Sequence, residues 1–301
     1  MIFNNRASQL IRQRHSCRTY QKRPLDRTDL NSLINFSLNW KSGPLGNPVR
    51  YLFPAARAGD GQMMRGLGTY GFIKDPPAFI AAAIRDRPGS LEDFGYLLEL
   101  LILKAADLEI GSCWLGGTFT KSRFAKLMQL EADETIPAVV SIGYPNDHQA
   151  FMDRISRVYA GSDRRLPWKQ LFFDNFWDIP LTKDNAGAFL EPLILLRLAP
   201  SASNKQPWRI LRSDNQWHFY LHRTPNYPSP LFSFLLQLAD LPRVDIGIAM
   251  AHFELGLKEA GQHGSWLVSD PQLSKPDQKL EYIVSWIPEN EREPKTKNQR
   301  N

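Results

Sequence analysis

The chain has 301 residues, of which 43% are hydrophobic and 23% are charged, enough for one large buried core or two modest ones. The formal net charge of +6 permits a nucleic acid or a phosphorylated small molecule as a partner, but no basic segment with interleaved aromatic residues favours nucleic acid. The longest apolar run, residues 97–108, is interrupted by charges and too short for a membrane span, and the N-terminus lacks an apolar leader, so we expect a cytoplasmic protein without membrane contact.

Apolar spacing along the chain predicts a mixture of helices and strands. Helices are predicted near residues 4–14, 26–39, 91–109, 120–129, 185–198, 231–240 and 245–262. Strands are predicted near residues 49–54, 78–84, 138–143, 208–213, 217–222 and 281–287. Asp26 and Thr28 are candidate caps of the second helix, and Pro76 and Pro77 precede the second strand. Residues 146–180 show little regular pattern. Because helices and strands do not alternate strictly, an α+β fold is favoured.

Metal-binding patterns are missing from the sequence. Its two cysteines, Cys17 and Cys113, are far apart and show neither CxxC nor Cys/His spacing, and its 6 histidines are scattered. We therefore predict neither a metal site nor a disulfide framework.

Two segments of equal length, residues 93–114 and 245–266, resemble each other. The matched pairs are Asp93 and Asp245, Gly95 and Gly247, Leu103 and Leu255, and Trp114 and Trp266. Each segment is predicted to form a buried helix that ends near a glycine and is followed by a turn into an aromatic strand. Flanking matches, such as residues 47–50 with residues 206–209, extend the similarity. The pattern predicts an internal duplication.

The duplication divides the chain into two related halves. We place the first half at residues 1–172 and the second at residues 173–290, followed by a disordered basic tail at residues 291–301.

Four short motifs could carry chemistry. The first, Arg14-His15-Ser16-Cys17-Arg18, ends the first predicted helix and offers two guanidinium groups and a hydroxyl to a phosphate dianion. The alternative is a solvated basic helix end, since cations suit helix C-termini. The second motif, from Ala199 to Trp208 (APSASNKQPW), lies between a predicted helix and strand. Its small residues permit close backbone approach, and its amide side chains could contact the edge of a planar ring, although a capping loop is also possible.

The other two motifs are weaker. Residues 111–118 (GSCWLGGT) contain glycines that allow a flat ligand to approach, but they do not form a GxGxxG phosphate loop and could be an ordinary strand turn. Residues 164–168 (RRLPW) could add a second cationic contact to a phosphate or form a solvated loop.

Together these strings resemble the nitroreductase family of flavoproteins. The first motif is similar to the family's Arg-x-Ser-x-Arg/Lys signature and the second to its Pro-Ser-x-x-Asn-x-Gln-Pro-Trp signature, while residues 138–145 (AVVSIGYP) are similar to its final strand. The resemblance covers roughly residues 5–290 and is greatest to the subgroup called TM nitroreductases, in which the repeat is fused in one chain. It implies an internally duplicated α+β fold that forms a single-chain pseudo-dimer and binds FMN between its halves.

The resemblance also implies roles for individual residues. Arg14, Ser16 and Arg18 would bind the FMN phosphate, with Arg164 or Arg165 assisting and His15 near the ribityl chain. Residues expected to face the isoalloxazine ring or line its edge are Leu115, Gly116, Gly117, Pro200, Ser201, Ala202 and Asn204. Ala202 replaces a second serine often present in the signature, so one hydrogen bond could be missing there.

The two signatures are complementary. The first half has the arginines, but its loop reads SGPLGNPVR, and the second half has the intact loop but lacks the paired arginines. The hypothesis is one FMN site per chain, with no side chain predicted to be catalytic because the flavin carries the chemistry. NADH or NADPH would donate a hydride to the flavin, and a small planar nitroaromatic or quinone would accept it from the flavin. A non-catalytic or differently specialised flavin-binding protein is the alternative, and the chain could be a monomeric pseudo-dimer or a homo-oligomer.

Overall fold

The computed structural model describes residues 2–55, 73, 76–117, 119–146, 164–223, 239–276 and 279–289. The α-helices among them are α1 (Ala7–Gln13), α2 (Arg27–Asn39), α3 (Ser90–Asp107), α4 (Lys121–Met128), α5 (Leu190–Arg197) and α6 (Leu241–Glu259). The strands of the first half are β1 (Arg50–Leu52), β2 (Ala78–Arg85), β3 (Gly111–Leu115), β4 (Glu134–Thr135) and β5 (Val139–Gly143). The remaining strands are β6 (Phe172–Asp174), β7 (Phe176–Pro180), β8 (Trp208–Ser213), β9 (Gln216–His222), β10 (Gly264–Leu267) and β11 (Leu280–Pro288).

The two halves contain sheets of the same topology. The first sheet has the order β1-β2-β5-β3, with β4 paired to β2, and the second contains the order β8-β9-β11-β10. Equivalent strands therefore occupy equivalent places, as the internal duplication predicts. The second sheet is extended by β6, which pairs in parallel with β8, and by β7 at its edge. The chain that follows β5 thus contributes strands to the sheet of the second half.

The repeated helices α3 and α6 cross at the centre of the molecule. A Cβ atom on Gly95 would lie 2.1 Å from the Val244 carbonyl oxygen, and one on Gly247 would lie 1.9 Å from that of Glu92. The matched glycines therefore face each other's helices, and the absence of a side chain lets the two backbones approach closely. Both helices are buried over most of their length, which explains why their apolar residues occupy every side.

Most of the predicted elements are confirmed within a few residues. Residues 185–198 differ, because a 3₁₀ segment at Asp184–Phe189 precedes α5. The first part of this segment is not an α-helix, and Gly187 within it has φ 54°. Asp26 does hold the N-cap position of α2, but its side chain makes no capping hydrogen bond; it accepts one from the Tyr144 hydroxyl at 3.1 Å instead.

The expectation of little regular structure at residues 146–180 was wrong for its last part, since β6 and β7 lie there. These strands were missed because β6 is short and β7 lies at the sheet edge with most of its residues exposed, so neither has the pattern of a half-buried strand. Most of the helix predicted at 231–240 and the tail at 291–301 lie outside the described residues. Within the described part of the chain, no helix is long and apolar enough to cross a membrane.

Candidate functional site

The arginine signature lies beside the edge strand β3. Ser16 pairs with Ser112 in a parallel bridge, and the Cys17 amide donates a hydrogen bond to the Ser112 carbonyl at 2.8 Å. The Cys113 thiol, on the same strand, donates a hydrogen bond to the Trp114 carbonyl at 3.6 Å, and Ser16 and Arg18 lie close enough to affect its pKa. Burial raises the pKa of this thiol, while the nearby guanidinium groups lower it in part. The structure therefore places Arg14, Ser16 and Arg18 near Cys113 of β3.

His15 differs from its neighbours in the motif. His15 is exposed, and its Nδ1 lies 3.1 Å from the Gln13 carbonyl oxygen. The ring thus contacts the end of α1, and its predicted place beside a ribityl chain remains a prediction.

Arg14 is a largely enclosed cation of the signature. Its side chain is 8% exposed, and its Nε lies 3.6 Å from Oε1 of the fully buried Glu99. Among the described residues this Nε has no hydrogen-bond partner. A guanidinium held in this way keeps donors available for a ligand.

Glu99 is surrounded by donors. Trp114 Nε1 donates to its Oε2 at 2.9 Å, and His252 Nε2 lies 3.0 Å from its Oε1. Burial alone raises the pKa of Glu99, but the His252 hydrogen bond and the charges of Arg14 and His252 outweigh it and lower the pKa below its ordinary value. Glu99 is therefore an ionised carboxylate inside the protein.

The second motif forms a tight loop fixed to α6. Both carboxylate oxygens of Asp245 accept a hydrogen bond from the Ala202 amide, at 3.0 and 3.1 Å. Ser201 Oγ accepts a hydrogen bond from the Gln206 amide at 2.9 Å. Positive φ angles of 50°, 54° and 49° occur at Ser203, Asn204 and Gln206. Such angles are uncommon outside glycine and are found where surrounding contacts hold the backbone, often beside ligands.

The equivalent loop of the first half is anchored in the same manner. Asp93, the counterpart of Asp245, accepts hydrogen bonds from the amides of Leu45 at 2.9 Å and Asn47 at 2.8 Å. The repeated aspartates are thus loop anchors in both halves.

The fourth motif lies directly against this loop. Asn204 Nδ2 donates to the Arg164 carbonyl at 2.8 Å, and Gln206 Oε1 accepts from the Leu166 amide at 2.8 Å. The Arg165 guanidinium donates to the Leu198 carbonyl at 3.2 Å and to Asn204 Oδ1 at 3.4 Å. Gln206, which the sequence suggested as a reader of a ring edge, instead holds the Arg164–Leu166 backbone. Arg164 and Arg165, which lie near the end of the first half, therefore contact the loop of the second half.

The third motif reaches the same helix. Leu115 is buried, and a Cβ atom on Gly116 would lie 2.6 Å from Cδ1 of Leu241, the first residue of α6. Gly117 is exposed, with open space where its side chain would be. Gly116 of the first half and the loop of the second half thus contact the first two turns of α6.

A chain of contacts joins the two signatures. From Arg14 it passes through Glu99 to His252, whose Nδ1 lies 3.0 Å from the Leu195 carbonyl of α5. Helix α5 ends at Arg197 and is followed by the second motif, in which Pro200 is half-buried. These contacts and the continuity of the chain thus link the four motifs through the first-half strand β3 and the second-half elements α5 and α6.

Three residues of this region were not singled out as site residues from the sequence: Glu99, Asp245 and His252. The signal for Glu99 was a charge inside an apolar helix, and the signal for Asp245 was an aspartate repeated in both halves. His252 gave no signal, because its importance depends on a partner far away in sequence. Among the described residues, no group of three His, Cys, Asp or Glu side chains could hold a metal ion.

Residues 7–257 match the model of the family described as "Putative TM nitroreductase", and the chain belongs to this family. Its fold is similar to that of a "putative nitroreductase" from Thermotoga maritima, with 16% identity and a TM-score of 0.58 over 94% of each chain. An "oxidoreductase containing FMN" is 18% identical with a TM-score of 0.43, covering 50% of this chain and 82% of that one. A "putative nitroreductase in complex with fmn" from Desulfovibrio desulfuricans is 22% identical with a TM-score of 0.39, covering 47% and 87%. No curated protein matches the chain.

The buried loop anchor makes stability depend on pH. Burial raises the pKa of Asp245 well above its ordinary value, so the folded chain binds a proton that the unfolded chain releases above a pH of about 3.9. The contribution of Asp245 to the free energy of unfolding therefore falls as the pH rises. We expect Asp245→Asn to gain stability relative to the parent between a pH of about 4 and neutrality, measured by denaturant unfolding at several pH values.

The first-half anchor provides the comparison for this experiment. Burial also raises the pKa of Asp93, but less strongly, so Asp93→Asn should show the same trend with a smaller amplitude. A stability difference between Asp245→Asn and the parent that stays constant with pH would contradict the assignment.

Proposed function

We propose that the chain is an FMN-dependent oxidoreductase with one flavin site between its halves. In this proposal it moves a hydride from NADH or NADPH through the flavin to a small planar acceptor such as a nitroaromatic or a quinone. The observation that carries the proposal is the convergence of complementary motifs: the arginine signature comes from the first half and the loop from the second. Family membership and the FMN-containing relatives also support it.

The residues present fit a phosphorylated planar cofactor. Arg14 Nε is buried without a hydrogen-bond partner among the described residues, as expected of a donor set built for an anion. Four arginines lie in the combined motifs, namely Arg14, Arg18, Arg164 and Arg165. The carboxylate of Glu99 offsets one of these charges, so the region retains the positive charge that suits a phosphate dianion.

Each motif has a distinct part in this proposal. Arg14, Ser16 and Arg18 bind the phosphate, and Arg164 and Arg165 add positive charge from the opposite side. One charge-assisted contact of this kind contributes about 1.5–3 kcal/mol.

The remaining motifs orient the ring. The Pro200–Asn204 loop contacts one side of the ring, and Leu115, Gly116 and Gly117 line its edge. Held by Asp245, the loop keeps its polar groups in place before the cofactor arrives, which reduces the entropy lost on binding. FMN, when bound, supplies the hydride acceptor and donor.

The first experiment counts the flavin. Titration of purified chain with FMN, followed by quenching of flavin fluorescence, is expected to saturate at about one flavin per chain, since just one half carries each intact signature. Saturation at two flavins per chain, or no binding, would contradict the single-site proposal.

The same sample separates an enzyme from a flavin-binding protein without catalysis. Anaerobic mixing with NADH and, separately, with NADPH should bleach the flavin absorbance bands with at least one of them, because a hydride transfer reduces the ring. Persistent yellow colour with both would favour the non-catalytic alternative. The acceptor is then identified by reoxidation of the reduced protein with nitroaromatics and quinones.

A further inference from the structure

A buried cluster of charged side chains joins the two halves behind the arginine signature. Glu99 of α3 and His252 of α6 are both 0% exposed, and Arg14 follows α1. Burying charged groups is costly unless they are paired, and side chains in the core can usually be replaced by apolar ones. The presence of this cluster at the centre of the molecule therefore calls for a reason other than packing.

Close polar contacts join the members of the cluster. His252 Nδ1 lies 3.0 Å from the Leu195 carbonyl, which can only accept, so this nitrogen carries a proton. Its Nε2 faces the Glu99 carboxylate at 3.0 Å, which also accepts hydrogen bonds from other donors. Both ring nitrogens therefore face oxygen acceptors, and the ring joins the Glu99 carboxylate to the backbone of α5. Arg14 and His252 thus approach the same carboxylate oxygen, Oε1 of Glu99.

The duplication shows that the cluster belongs to one side of the molecule. The alignment that matches Asp93 with Asp245 makes Ala251 the counterpart of Glu99 and Leu100 the counterpart of His252. The two positions that the duplication relates to Glu99 and His252 are therefore both apolar. Trp266, the counterpart of Trp114, donates instead to Glu254 at 2.6 Å. The pair of Glu99 and His252 therefore lies beside the intact arginine signature, and the related place in the other half, which lacks the paired arginines, has no such pair.

We propose that Glu99 and His252 are positioning residues that hold the Arg14 guanidinium in place for the flavin phosphate. This inference rests on the proposed function, because it takes Arg14 as a phosphate ligand. A free arginine side chain loses about 2 kcal/mol of rotamer entropy when it is ordered, and a side chain already held by a carboxylate loses less on binding. Because Glu99 and His252 lie in different halves, flavin binding depends on the contact between them.

The test compares FMN with riboflavin, which has the same ring and ribityl chain but no phosphate. In Glu99→Gln, the affinity for FMN should fall about tenfold, by analogy with the loss seen when the partner that orients a metal-binding side chain is removed, while that for riboflavin should change little. A merely structural defect would weaken both ligands equally. His252→Gln, which removes the ring that contacts Glu99, should show the same selective loss and decides the matter if Glu99→Gln does not fold.

The matched control is Glu254→Gln. It removes a carboxylate that accepts hydrogen bonds from Trp266 and Tyr96 at the same helix pair but contacts no signature arginine. Its FMN affinity should equal that of the parent.

The outcomes separate the two proposals. If the parent chain binds no FMN, the proposed function fails and the inference fails with it. If the parent binds FMN and Arg14→Ala weakens it, but neither Glu99→Gln nor His252→Gln does so selectively, the proposed function stands and the positioning role is wrong.

Discussion

Replacing Arg14 with alanine is expected to weaken FMN binding about tenfold to a hundredfold, since a charge-assisted hydrogen bond contributes about 1.5–3 kcal/mol. The side chain is 8% exposed, its Nε lacks a hydrogen-bond partner among the described residues, and Glu99 holds it at 3.6 Å. Fluorescence titration with FMN measures the effect, and riboflavin should bind the variant about as well as the parent.

Arg12 provides the matched control, since it is a nearby arginine on α1. It pairs with Glu191 at 2.6 Å, where both side chains are more than two-fifths exposed. An exposed pair of this kind contributes little to stability. Arg12→Ala should therefore leave both FMN affinity and unfolding unchanged. If Arg14→Ala binds FMN as tightly as the parent, the phosphate assignment is wrong.

The second large effect is expected at the crossing of α3 and α6. Helix propensity alone favours Gly247→Ala by about 1 kcal/mol, because alanine stabilises helix interiors. The added methyl group would lie 1.9 Å from the Glu92 carbonyl oxygen, which belongs to the backbone and cannot rotate away. We therefore expect a net loss of about 1–3 kcal/mol in the free energy of unfolding, measured by denaturant unfolding.

Gly117→Ala is the control for this measurement. Apart from its neighbours in the chain, no atom of the described residues lies within 4 Å of the added methyl group, and its backbone does not need a positive φ. Its free energy of unfolding should be close to that of the parent. A Gly247→Ala variant more stable than the parent would show that the two helices can separate without cost.

The repeat in the sequence predicted more of the fold than any single element did. Matching Gly95 with Gly247 and Asp93 with Asp245 predicted two related halves before their sheets were known. The strand orders β1-β2-β5-β3 and β8-β9-β11-β10 agree with that prediction. The exact boundary between the halves stays a prediction. Strand β6, which begins at Phe172, pairs with β8 of the second half.

The motifs predicted the chemistry of the candidate site but not its arrangement. Ser201 and Ala202 were identified from an unusual string of residues, yet the aspartate that fixes their loop lies on another element. The sequence allowed Gln206 either to contact a ring edge or to hold a capping loop, and in the structure it binds the Arg164–Leu166 backbone. A side-chain amide has both donors and acceptors, so its partner depends on which backbone the fold brings within reach.

By itself, the sequence determined the composition of the core, the periodicity of the main helices, the duplication and the residue types of the four motifs. These properties are local or repeated, so they can be detected without coordinates. The tertiary structure alone decided that α3 and α6 cross at Gly95 and Gly247, and that Arg14 meets Glu99 and His252. Those contacts join residues far apart in the chain, and their energies depend on distance and burial, which sequence spacing does not determine.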